Sequence, residues 1–174
     1  RVCEEGLCGR TTCLDDPFNE GLSGLNYLLP CLQSHSPLDM LVIMLGTNDC
    51  KERFSLTGAN IALGMRRLVI KALGADVWRD KPNILIIAPG PILKECENSA
   101  VGSNMGKCSD KSYKLSMEYK FVADELKVGF FDAAPYVVMN DIDFMHLTAD
   151  SHISLAKKVS EIIKETLENK EVKI

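Results

Sequence analysis

Several features that would reveal a function at a glance are missing from this sequence. No serine lies in a G-x-S-x-G turn, so the nucleophile elbow of the larger α/β hydrolase fold is absent. No apolar run approaches the roughly 20 residues of a membrane span. The longest, over 40–45, has the length of a buried strand. No strong charge of one sign is present: the net charge of -4 gives no electrostatic reason to expect nucleic acid or an anionic membrane as partner. No repeat, linker or low-complexity tract interrupts the chain, and its Lys-rich C-terminal end alternates with Glu as a solvated helix face does. The first residue is Arg1 rather than Met, with no signal sequence. Val2 and Cys3 read as a strand already under way, so the expectation is a single domain over residues 1–174 whose N-terminal part is not shown.

What is present suits one core. At 174 residues, 46% hydrophobic and 25% charged, the composition is that of an ordinary globular domain. The seven cysteines are an odd number, which argues against a secreted disulfide framework and for a reducing, cytoplasmic setting. Cys3, Cys8 and Cys13 are evenly spaced, but not as in C-x2-C or C-x4-C zinc sites. They read as small buried thiols, with no metal and no cofactor expected.

The hydrophobic pattern alternates strand and helix. A short strand is expected over 2–5, a polar turn over 6–16 and a helix over 22–32. The apolar run 40–45 reads as a central strand covered on both faces. Ile61, Met65, Leu68, Val69 and Ala72 keep the spacing of one buried stripe on a helix over 58–73. A second buried strand follows over 83–88, then a patternless loop over 94–110, a helix over 111–126 and a strand over 128–131. Thr148 is placed to cap a last helix running to about residue 167. This order predicts a three-layer α/β/α domain with a mostly parallel, flavodoxin-like sheet. Ligands of such sheets bind at the carboxyl ends of the strands.

Those ends hold three groups of residues. Gly46-Thr47-Asn48-Asp49 follows the strand over 40–45, where a side-chain amide can donate into the cleft; read alone, it is more readily a turn. Gly9 lets a ligand oxygen approach its backbone N–H closely, and with Asn48 it offers two donors to one point, as an oxyanion hole does. Asp143 stands three residues before His146, so its carboxylate can bind the imidazole Nδ1–H and leave Nε2 as a base. His35 and His152 lack such company and read as structural or exposed. Cys8 could be imagined as a nucleophile, but nothing near it in sequence would activate it.

Taken in this order, the three elements resemble the SGNH (GDSL) hydrolase family. The strings GRTTCLDDP, PLDMLVIMLGTND and IALGMRRLV are similar to its bacterial arylesterase and perhydrolase-type branch. The resemblance covers nearly the whole chain apart from 94–110. It implies that Gly9 and Asn48 form the oxyanion hole, with Gly46 and Asp49 completing the G-x-N-D block, and that Asp143 and His146 are the catalytic pair. It also implies a Gly-Asp-Ser block upstream of Arg1, carrying the nucleophile and the first central strand of the sheet. Cys8 stands where relatives often have serine. The implied activity is hydrolysis of short-chain or aryl carboxylic esters through an acyl-enzyme, on a small-molecule ester and without a cofactor, and the resemblance also suggests a homo-oligomer. Three alternatives stay open: an inactive or non-catalytic binding domain, a carbohydrate O-deacetylase, and a flavodoxin-like cofactor domain.

Overall fold

The computed structural model describes the backbone of residues 1–171 and side chains to residue 168. Its elements run α1 (Gly24–Ser34), β1 (Leu41–Ile43), α2 (Gly58–Leu73), β2 (Ile84–Ala88), α3 (Gly102–Met105), α4 (Ser109–Ser112), α5 (Leu115–Leu126), β3 (Gly129–Asp132) and α6 (Ala149–Glu171). The three strands are parallel, in the order β1-β2-β3. All five residues of β2 are buried, and alternation divides them between two layers. Ile84, Ile86 and Ala88 join α1, α2 and α5 in the larger core, while Leu85 and Ile87 meet Leu155 of α6 on the other face. This is the expected α/β/α layering.

Local chemistry accounts for the helix boundaries. Thr57 and Asn60 form a reciprocal capping box at the start of α2, whose limits match the stripe read from sequence. Ser23 caps α1 through Asn26 N, which starts that helix two residues later than expected. The Thr148 hydroxyl accepts from Ser151 N at 3.2 Å and caps α6 as predicted. No helix among the described residues is long and apolar enough to cross a membrane.

Four expectations need correction. Residues 2–5 form no strand, and β1 is shorter and less covered than 40–45 implied: Ile43 is buried, Leu41 and Val42 are half-buried, and Met44 is 44% exposed. Both differences share a cause. Among the described residues β1 pairs with β2 alone, and its residues line a groove of about 930 Å³ together with Arg1–Cys3 and Glu5–Leu7. A strand needs a ladder partner for its N–H and C=O groups, and residues 2–5 have none. The third correction concerns 94–110. That stretch contains a 3-10 turn, Lys94–Asn98, and α3, and α4 begins within it. Buried Cys96, Met105 and Cys108 draw these short helical pieces onto the core despite their lack of periodicity. The fourth concerns Cys3, Cys8 and Cys13, which are not buried thiols: Cys3 and Cys8 are exposed and Cys13 is half-buried, whereas Cys50, Cys96 and Cys108 are buried, and all seven are free.

Candidate active site

The Asp143–His146 turn is shaped almost wholly by side-chain oxygens accepting from backbone. Asn140 Oδ1 accepts from Ile142 N at 2.8 Å and Asp143 N at 2.9 Å. Asp143 Oδ1 accepts from Met145 N and His146 N, each at 3.0 Å. Such Asx-type bonds let short polar residues fold a tight turn. They hold Phe144 at φ +62°, a left-handed conformation unusual for an aromatic residue, which its carbonyl helps to fix by accepting from Leu93 N. The remaining Asp143 oxygen, Oδ2, lies 2.7 Å from His146 Nδ1. Burial pushes the Asp143 carboxyl upward, but the two backbone N–H groups and the imidazole outweigh it and hold the group down at about 2. Asp143 is therefore a carboxylate at neutral pH. It fixes the ring through Nδ1 and leaves Nε2 without a partner among the described residues.

Gly9, Thr47, Asn48 and His146 line one cavity of about 810 Å³. Gly9 has φ +85°, and a Cβ there would stand 3.0 Å from Leu22 Cδ1, so both backbone and space favour glycine. Asn48 spends one amide proton on Arg10 O, at 3.2 Å, which orients the group and leaves the second proton to donate elsewhere. Gly46 is demanded more strictly still: its φ is +121°, and a Cβ would lie 2.2 Å from the Tyr119 hydroxyl, which donates to Leu45 O. The three sequence blocks thus meet at one cavity. Apolar side chains, including Leu7, Met44, Val101, Met105 and Met139, form much of its wall.

Asp49 plays a larger part than anchoring its own turn. It is fully buried, and its two oxygens accept from Thr12 N at 3.0 and 2.9 Å and from the Thr12 hydroxyl at 2.5 Å. Burial raises its pKa, with the Thr12 hydroxyl and N–H acting against that rise. The carboxyl therefore ties the Gly46–Asp49 turn to the loop that carries Gly9. Asp49→Ala would leave the Thr12 N–H and hydroxyl without acceptors in the core, and a loss of about 2–4 kcal/mol is expected. A urea titration checks this, and a stability within 0.5 kcal/mol of the parent would contradict the bracing role.

The fold also brings here residues to which the sequence gives no role in the site. His152 and Cys8, both exposed, line the cavity, as does Lys51, which is buried. None of the chain's serines among the described residues lines it. His35 is bonded elsewhere, to Glu5 Oε1 at 2.6 Å, and Tyr27 donates to Glu5 Oε2. Glu5, Cys31 and His35 hold ligand-type atoms within 4.8 Å of one another, the one such group of metal-ligand type among the described residues. They lie on the groove beside β1, apart from the cavity of His146.

No family model and no curated protein matches the chain. Solved structures do. The native aryl esterase of M. smegmatis is 35% identical, with a TM-score of 0.87 over 95% of this chain and 78% of its own. A carbohydrate acetylesterase from Sinorhizobium meliloti is 38% identical, with a TM-score of 0.84 over 94% of this chain and 77% of its own. A carbohydrate acetylesterase family member from the same organism is 31% identical, with a TM-score of 0.87 over 97% and 80%. Identity at this level over nearly the whole chain, with the glycine, asparagine and Asp–His blocks gathered at one cavity, places the protein: it belongs to the SGNH (GDSL) hydrolase family.

Proposed function

We propose that this protein is a serine esterase cleaving short-chain or aryl carboxylic esters, with its nucleophile on a segment preceding Arg1. The observation that carries the reading is the 2.7 Å Asp143–His146 contact on a cavity shared with Gly9 and Asn48. In the proposed reaction the serine Oγ bonds to the ester carbonyl carbon while His146 Nε2 takes its proton. The carbonyl oxygen becomes an anion facing the Gly9 N–H and the free Asn48 amide proton. Collapse breaks the bond to the alcohol, which leaves with the proton from His146. Water, deprotonated by the same imidazole, then releases the acid from the acyl-enzyme. No step calls on a metal or an organic cofactor.

Two observations among the described residues support a nucleophile from outside residues 1–174: no serine lines the cavity, and β1 keeps an unpaired edge beside the 930 Å³ groove. A preceding strand lying in that groove would pair with β1 and deliver its carboxyl end beside Gly9 and Asn48. The test compares p-nitrophenyl acetate hydrolysis by residues 1–174 with that by the chain extended upstream through a Gly-Asp-Ser block. Turnover is expected only from the extended chain. Equal turnover by both would move the nucleophile inside 1–174, and none by either would favour a non-catalytic binding domain. The 38% identity to a carbohydrate acetylesterase favours one second reading, O-deacetylation of sugars. Acetate release from an acetylated oligosaccharide, measured beside the aryl ester, separates the two.

A further inference from the structure

One group of ionisable side chains has no part in the mechanism above: Glu5, Cys31 and His35, all half-buried on the groove beside β1. Cys31 and His35 stand four residues apart at the end of α1, with His35 as its C-cap, so one helical turn brings thiol and imidazole onto one face. Glu5 comes from the segment that leads to Gly9, and its Oε1 lies 2.6 Å from His35 Nε2. Its Oε2 accepts from the Tyr27 hydroxyl at 2.5 Å. Arg10 Nη1 donates instead to the Glu5 carbonyl, at 2.8 Å, and its guanidinium lies over the Tyr27 ring.

Hydrogen bonding accounts for the carboxylate, the ring and the phenol, but not for a thiol at the same point. Thiolate, imidazole and carboxylate together are a donor set suited to zinc, whereas calcium and magnesium favour oxygen alone. The spacing is close to what zinc needs. Nitrogen and oxygen ligands of a tetrahedral zinc stand about 3.3 Å apart, and a thiolate about 3.6 Å from either. From the observed 2.6 Å, Glu5 and His35 have about 0.7 Å to spread, and the thiol, within 4.8 Å of both, has at most about 1.2 Å to close. Charge favours the ion as well. Thiolate and carboxylate together carry two negative charges, which a divalent cation cancels. The negative end of the α1 dipole lies at the same point, and the last turn of that helix holds no Lys or Arg. We propose that Glu5, Cys31 and His35 bind one zinc-type divalent cation, which ties the segment before Gly9 to α1. On binding, the Cys31 thiol gives its proton to solvent. His35 shifts its ring proton to Nδ1, which has no partner among the described residues, and coordinates through Nε2. The fourth position is left to water.

The test titrates the upstream-extended chain, first stripped with a chelator, with Zn2+ and with Co2+ as its spectroscopic stand-in. One equivalent of Zn2+ should bind with a Kd of about 1 µM or tighter and release about one proton. At about a hundredfold excess over Kd, the thermal midpoint should rise by about 5 °C or more. The Co2+ form should show the sulfur-to-metal charge-transfer band of a thiolate ligand. Cys31→Ser should abolish that band, and Cys31→Ser, Glu5→Gln and His35→Ala should each weaken Zn2+ binding about tenfold or more. Cys13→Ser, outside the group, should change neither. A band that persists in Cys31→Ser, or Zn2+ binding unaffected by loss of Glu5 or His35, would overturn the site. So would no binding, which leaves the three side chains as hydrogen-bonded neighbours. Melts of the metal-free variants that match the parent exclude misfolding, and Cys31→Ser, which keeps the shape of the side chain, carries the test if either other variant melts early. None of these readouts depends on ester hydrolysis, so the outcome is separate from that of the esterase reading.

Discussion

His146→Ala, in the chain extended upstream of Arg1, is expected to lower kcat for p-nitrophenyl acetate by about 10⁴-fold while the melting temperature stays near that of the parent. Among the described residues on the cavity, the imidazole is the one base held by a carboxylate, and its side chain is 62% exposed, so its removal opens no void in the core. His152→Ala is the matched control. His152 also lines the cavity but has no Asp partner among the described residues, and its loss should leave turnover within about twofold, as for an ordinary surface substitution. Near-normal activity in both variants would remove the Asp143–His146 assignment. A large loss confined to His152→Ala would transfer the role of base to that residue.

Asn48→Ala should show the second-largest effect, and should show it in kcat. In the proposed mechanism its amide proton meets an oxygen that becomes negative only as the tetrahedral intermediate forms, so it would bind the transition state in preference to the ester. A fall of roughly 10²–10³-fold in kcat with little change in KM is expected. Part of this substitution acts on structure, because Asn48 also donates to Arg10 O beside Gly9. Asn48→Asp keeps the size but presents an acceptor to both Arg10 O and the oxyanion, and should be at least as damaging. Unchanged kcat in Asn48→Ala would leave Gly46–Asp49 as a turn without an oxyanion role.

The sequence made these residues legible because their signals are local. The three-residue step from Asp143 to His146 suffices to bring carboxylate and ring together, and the apolar stripe of α2 with its Thr57–Asn60 cap fixes that helix without reference to the rest of the chain. Contacts across long stretches of chain were not legible. Asp49 reaches Thr12 over 37 residues, and no spacing rule announces that its carboxyl will brace the Gly9 loop rather than its own turn. Lys51 carries no local signal either, since the contact that holds it comes from Asp16, 35 residues away. The apolar run at 40–45 promised a covered central strand, because side-chain character reports the environment a strand favours and not how many neighbours it has. Residues 2–5 failed for the same reason: β-propensity is realised only beside a partner. Cys96, Met105 and Cys108 carry no period at all, so the short helices of 94–110 follow from tertiary burial alone.

The most direct test of the central claim is to map covalent labelling by a fluorophosphonate probe. Treated with the probe, the upstream-extended chain should take up one equivalent on a serine preceding Arg1, and peptide mass spectrometry should locate it there. His146→Ala should suppress this labelling, since the serine then lacks its base. Residues 1–174 alone should take up none. Stoichiometric label on any residue between Arg1 and Ile174, Cys8 included, would contradict the account, because the nucleophile would then lie within the chain, away from its proposed place beside Gly9, Asn48 and His146.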